Sequence, residues 1–177
     1  SAIRSDNIEI QSARHESIPL IRRAEALAEI MLMKRGLAIG GTHGKTTTTS
    51  LTASAFISAH QDPTVVVGGR LDLIQATAAL GEGEWMIAEA DESDGSFNRL
   101  SPEMVVVTNI DQDHLDHYGS FSALKHAFLE FANRIPFYGA LIYCGDDETS
   151  CEVFKDFAKR SVTYGFSSQH AFVLTGD

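Results

Sequence analysis

The stretch Leu37-Ala38-Ile39-Gly40-Gly41-Thr42-His43-Gly44-Lys45-Thr46-Thr47 decides the reading of this chain. An apolar run leads into a glycine-rich turn that ends in Gly-Lys-Thr and opens onto a segment able to form a helix. Glycines let the backbone curl until several N–H groups face one anion, and a helix N-terminus adds the positive end of its dipole. Lys45 then supplies a point charge for phosphate, and the Thr46 hydroxyl a hard oxygen for Mg²⁺. The spacing is one residue short of G-x-x-x-x-G-K, because position 39 is Ile39 and the glycine is Gly40. A Gly-Lys-Thr placed between an apolar strand and a helix reads as a variant phosphate-binding loop.

Outward from the loop, strand and helix patterns alternate. Residues 37–39, 64–67, 85–90, 104–108, 140–144, 162–164 and 171–174 read as short apolar strands, with Gly68-Gly69 ending the second of them. Residues 45–59 read as a helix with a threonine-rich start that propensity alone supports poorly. Ser120 caps a helix to about residue 134, and residues 149–158 form another. Before the loop, a short helix spans residues 8–15. A second one starts at Pro19 and carries Leu20, Ile21, Ala24, Leu27, Ala28 and Met31 at helical spacing until Gly36 stops it. Alternation of this kind predicts an α/β fold, a mostly parallel sheet with helices on both faces. In such sheets ligands gather at the carboxyl ends of the strands. Polar clusters do follow the strand ends here: Gly40 to Thr46, Glu89 to Asp94, Asn109 to His114, and Gly145-Asp146-Asp147. The first three are expected to converge.

The run Glu89-Ala90-Asp91-Glu92-Ser93-Asp94 packs four carboxylates into six residues. That crowding calls for a cation among them, and a carboxylate at a strand end beside a phosphate loop is where a nucleotide-hydrolysing site holds Mg²⁺. Asp94-Gly95-Ser96 reads as a turn. Asp113-His114-Leu115-Asp116-His117 resembles a zinc pattern, but no third nitrogen or sulfur ligand stands at a familiar spacing.

A net charge of −10 argues against nucleic-acid backbone binding, though not against ATP, where lysine, metal and backbone dipoles act locally. No run approaches the roughly 20 apolar residues of a membrane span. Cys144 and Cys151 form neither a disulfide framework nor a zinc site and fit reduced thiols in a cytoplasmic protein. The chain opens on Ser1 rather than Met and closes just after a strand-like segment, so it is expected to be part of a longer protein.

Three motifs in this order, Gly41-Thr42-His43-Gly44-Lys45-Thr46-Thr47-Thr48, Glu89-Ala90-Asp91-Glu92-Ser93-Asp94-Gly95-Ser96-Phe97 and Thr108-Asn109-Ile110-Asp111-Gln112-Asp113-His114-Leu115-Asp116, resemble the Mur ligase family. Ile18-Pro19-Leu20, Val67-Gly68-Gly69 and Ile135-Pro136-Phe137-Tyr138-Gly139 fit as well, so the resemblance covers nearly the whole chain. It implies a phosphate-loop central domain over residues 36–177, incomplete at its C-terminal end, preceded at residues 1–35 by the tail of a UDP-sugar-binding domain and a linker helix. It implies ATP and Mg²⁺ as cofactors, with UDP-N-acetylmuramate and L-alanine as substrates. The reaction implied is amide formation through an acyl phosphate, as a step in peptidoglycan precursor synthesis. The implied site has Lys45, Glu89 and His114 as catalytic residues. Gly41, Thr42, His43, Gly44, Lys45, Thr46, Thr47 and Asn109 hold the nucleotide; Thr46 ligates a first Mg²⁺, and Glu89 and His114 a second. The amino-acid site and an adenine-side His-Asn motif would lie outside this chain, which alone is expected to be inactive. Other members carry a carbamylated lysine beyond the histidine motif; Phe128 aligns there, so Lys125 is not given that role. Thr77-Ala78 stands where relatives often have Asn-Ala. The rival readings are a ligase that recycles a tripeptide onto the same sugar, a nucleotide switch, which lacks an Asn-Lys-x-Asp motif, and a metal hydrolase, which leaves the loop without a purpose.

Overall fold

The computed structural model describes residues 3–71, 74–93, 95–113 and 115–175. Helices α1 (Ile8–His15) and α2 (Arg23–Leu32) precede strand β1 (Arg35–Gly40) and helix α3 (Lys45–Ser58). Strands β2 (Thr64–Leu71), β3 (Ala76–Ala79), β4 (Trp85–Glu89) and β5 (Met104–Val107) follow, with a 3-10 turn at Ser96–Arg99. Helices α4 (Leu115–Tyr118) and α5 (Phe121–Asn133), strand β6 (Ala140–Cys144), helix α6 (Glu148–Phe154), and strands β7 (Ser161–Gly165) and β8 (Phe172–Val173) complete the chain.

The described strands form one sheet in the order β3-β2-β4-β1-β5-β6-β7-β8. Every pairing is parallel except β2 with β3. Alternate residues of each strand serve opposite layers. Ala38, Met86, Ala88, Val105, Val107 and Leu141 pack with Met31 of α2 and with Leu124, Phe128 and Phe131 of α5. Leu37, Ile39, Ile87 and Val106 pack on the other side with Ala53 of α3. The sheet is therefore covered on both faces, as the alternating pattern implied. Phe97, beyond β4, is 1% exposed and lies 4.7 Å from the Phe131 ring, which ties the chain after Glu89 to α5. Among the described residues no helix is long and apolar enough to cross a membrane.

Four local expectations need correction. The second helix starts at Arg23, not Pro19, because the Glu25 carboxylate accepts the Arg22 N–H at 2.8 Å and sets the helix start there. Leu20 and Ile21 remain exposed at 50% and 66%. Gly36 does not end that helix but lies inside β1, where a Cβ would come within 2.6 Å of Met31. Gly68-Gly69 do not end β2, which runs on to Leu71 because the missing Cβ atoms make room for residues of β4 and α3. The last expected helix is shorter, Glu148–Phe154, with Asp147 accepting the Ser150 N–H. The antiparallel β3 and the four-residue α4 were not anticipated. Ser120 caps α5 through the Ala123 N–H, as expected. Cys144 and Cys151 are free thiols.

Candidate functional site

β1 lies between β4 and β5, so the segments leaving these three strands meet at one edge of the sheet. This is where an open parallel sheet builds its ligand crevice. Gly41 leaves β1 at φ 135°, and a Cβ there would fall 2.0 Å from Thr108 Oγ1. The loop can therefore press against the end of β5 only because this residue is glycine. Gly44, at φ 80°, forms the N-terminal boundary of α3 with open space where a Cβ would stand. No side chain caps α3, so the positive end of a 14-residue helix faces the loop. Within its threonine-rich start, the fully buried Thr49 satisfies its hydroxyl by donating to the Lys45 carbonyl at 2.8 Å.

The loop is fastened to the segment after β5. Thr42 N–H donates to the Asn109 carbonyl at 3.0 Å, and the Thr42 hydroxyl accepts the Asp111 N–H at 2.9 Å. The Asn109 amide grips His43 from both ends: its Oδ1 accepts the His43 N–H at 2.9 Å, and its Nδ2 donates to the His43 carbonyl at 3.0 Å. Thr108 Oγ1 donates to the same carbonyl at 2.6 Å. The His43 ring itself is exposed, 3.7 Å from Asp111.

From the other side β4 delivers Glu89. Its Oε1 accepts the Thr46 hydroxyl at 3.0 Å, and its Oε2 accepts the Gly68 N–H at 2.7 Å. Three residues on, Glu92 is 1% exposed and pairs with Lys45 at 2.8 Å. Burial pushes the Glu92 carboxyl up from its usual range, and the Lys45 hydrogen bond pulls it back only in part. The acidic run thus has its cation inside the protein: Lys45 serves Glu92, while Asp91 turns to the Ser93 N–H at 3.0 Å.

Thr42, His43, Gly44, Lys45, Thr46, Thr47 and Glu89 together line a cleft of about 370 Å³. Gly41 and Asn109 are not part of its lining; they turn and fasten the loop that is. His114 and Asp94 lie outside the described residues. Lys125 pairs with Glu152 of α6 at 2.6 Å, and Phe128 is fully buried in the core. Among the described residues no three His, Cys, Asp or Glu side chains cluster as a ready-made metal cage. What the cleft offers a cation is a pair of hard oxygens. Hydroxyl and carboxylate oxygens are the hard donors that Mg²⁺ takes, and Thr46 Oγ1 and Glu89 Oε1 stand side by side in the cleft, hydrogen-bonded at 3.0 Å. The residues present therefore fit Mg²⁺.

Sequence reasoning did not assign Gly68, Glu92, Thr108 or Asp111 to the site. A glycine pair inside an apolar strand was a signal for close approach at Gly68. Nothing local distinguished Glu92 from its acidic neighbours.

The Mur ligase middle domain matches residues 39–176, and the Mur ligase family catalytic domain matches residues 1–35. The UDP-N-acetylmuramate–L-alanine ligase of Bdellovibrio bacteriovorus is 55% identical over all 177 residues, which cover 39% of that protein. The one from Lawsonia intracellularis is 55% identical over 96% of this chain and 38% of its own length. The chain thus spans about two-fifths of the curated relatives it matches. Among solved structures, UDP-N-acetylmuramate–alanine ligase from Thermotoga maritima superposes with TM-score 0.82 at 30% identity, over 99% of this chain and 39% of that one. The tripeptide-type UDP-N-acetylmuramate ligase from Neisseria shares the fold at TM-score 0.82 and 20% identity, over 96% of this chain and 58% of that one. With the middle-domain match extending over most of its length, and the phosphate loop, acidic segment and β5 segment meeting at one sheet edge, this chain belongs to the Mur ligase family.

Proposed function

We propose that this chain carries the nucleotide site of an ATP-dependent ligase that joins L-alanine to the lactyl carboxylate of UDP-N-acetylmuramate. The observation that carries the reading is the juxtaposition, in one cleft, of an uncapped helix start, Lys45, and the Thr46–Glu89 oxygen pair. The identity to alanine-adding relatives supports the substrate choice. Gly44 and Thr47 offer backbone N–H groups to the phosphates at the helix start, Gly41 lets the loop turn, and Thr42 and His43 line the cleft with their own N–H groups held by Asn109, which keeps the loop rigid. Lys45 brings positive charge to the phosphoryl group that is transferred to the carboxylate. Thr46, beside Glu89, would hold a first Mg²⁺, and the family resemblance gives Glu89 with His114 to a second. Metal held there would supply positive charge that offsets the repulsion between the two anions that must approach each other. In this reading residues 1–35 belong to the UDP-sugar-binding part and residues 36–177 to the central ATP-binding part of a cytoplasmic enzyme.

The test is phosphate release from ATP by the protein at its full length, with Mg²⁺ and UDP-N-acetylmuramate. Release that requires both the UDP sugar and L-alanine is expected. Release with the tripeptide L-alanyl-γ-D-glutamyl-meso-diaminopimelate but not with L-alanine assigns a recycling ligase instead. Release indifferent to the sugar overturns the ligase reading.

A further inference from the structure

The Lys45–Glu92 pair is the feature of the site that phosphate binding alone does not require. The Lys45 ammonium has three N–H donors and three acceptors around it: the Gly41 carbonyl at 2.8 Å, the Thr42 carbonyl at 3.2 Å and Glu92 Oε1 at 2.8 Å. A phosphate oxygen that takes a bond from Lys45 must displace or share one of these. The acceptors are not equivalent. The carbonyls are neutral, and Thr42 lines the cleft. Glu92 is 1% exposed, and its buried, charge-assisted bond holds the ammonium more strongly than a neutral carbonyl does. Its main chain is also fixed, because the Tyr118 hydroxyl of α4 donates to the Glu92 carbonyl.

We infer that Glu92 is a positioning residue for the phosphate-loop lysine, keeping its hold on Lys45 when a nucleoside triphosphate enters while the phosphate takes over from the Gly41 and Thr42 carbonyls. This rests on the cleft being the triphosphate site. Glu92 then acts in two opposing ways. Its charge lies close to the phosphates and weakens nucleotide binding. Its hold on Lys45 keeps the ammonium where the transferring phosphoryl group needs it. Removing the charge while keeping the shape should separate the two effects.

The experiment is Glu92→Gln in the full-length protein, with three readouts. For ATP, Kd is expected to stay unchanged or tighten by up to about threefold, while kcat for UDP-sugar-dependent phosphate release falls about tenfold or more. In the nucleotide-free protein, reductive methylation of Lys45 by formaldehyde and a borane, followed by peptide mass spectrometry, is expected to quicken severalfold. Weaker ATP binding with unchanged kcat overturns the inference, as does an unchanged methylation rate. Should the full-length protein prove not to be a ligase, ATP affinity and Lys45 methylation still decide the point. Should the variant not fold, the Glu92 carboxyl carbon is followed by NMR in the unmutated protein as ATP is added. A resonance that stays at its carboxylate position supports the inference. A move to the position of a protonated acid means that Lys45 has left, and refutes it.

Discussion

Gly68→Ala tests the construction of the site with one methyl group. The backbone at Gly68 has no positive φ, so alanine is conformationally acceptable there. The new Cβ would stand 2.8 and 2.9 Å from the two Glu89 carboxylate oxygens and 3.0 Å from their carbon. Ordinary contact begins near 3.4 Å, so the carboxylate must withdraw by about 0.6 Å. That stretches the 2.7 Å bond from the Gly68 N–H to about 3.3 Å, past the usual range, and shifts Oε1 against the Thr46 hydroxyl. Hydrogen bonds to charged groups contribute about 1.5–3 kcal/mol, but Gly68 is exposed and water replaces part of the loss. The fold should therefore lose only about 1 kcal/mol, a few degrees of melting temperature. Metal binding should suffer more, because disturbing the partners that orient a ligand typically costs about 10–100-fold in affinity. The assay is Mn²⁺ binding by electron paramagnetic resonance with ATP present, alongside a thermal melt. Unchanged Mn²⁺ affinity in a folded variant would refute the claim that the Gly68 amide aims Glu89. Gly69→Ala should be milder, since its Cβ meets only the Thr46 methyl, at 3.2 Å.

Lys45→Met removes the cation from the buried Lys45–Glu92 pair and should cost about 3 kcal/mol in urea unfolding, while adding Glu92→Leu should restore part of it; a single variant as stable as the parent contradicts the buried pair. Asn109→Ala removes both bonds to His43 and should weaken ATP binding about tenfold through a looser loop, read by calorimetry with the fold intact by circular dichroism. At the far end of the sheet, the Phe166 N–H and then His170 hold the Asp146 carboxyl below its usual range. A depressed carboxyl stabilises the fold above its unfolded value and loses that contribution as pH falls through the folded one. Asp146→Asn should thus flatten the acid limb of the curve of urea midpoint against pH below about 4, and a variant with the parent's acid slope speaks against it.

The sheet was legible because its strands are short apolar runs between amphipathic helices, and in a parallel sheet that pattern has few other uses. Its edge was not. Ala76–Ala79 has little apolar contrast and pairs antiparallel to β2 at the border, where burial writes no signal into the sequence. Glycines misled twice for one reason. Gly36 and Gly68 read as punctuation, whereas each is a place where a side chain from another element needs the space of a Cβ. At the site, Lys45, Thr46 and Glu89 could be named from motifs because their chemistry is tied to spacing. Glu92 could not be told from Asp91 beforehand. What separates them is that the chain after β4 turns Glu92 inward beneath the loop, under the anchor of Phe97 and Tyr118.

The most direct measurement for the central claim is a crystal structure of the full-length protein with a non-hydrolysable ATP analogue and Mn²⁺, located by anomalous scattering. A manganese peak beside Thr46 and Glu89 and a γ-phosphate within hydrogen-bond reach of Lys45 are expected. A triphosphate seated elsewhere, or a metal with neither Thr46 nor Glu89 among its ligands, would contradict that claim.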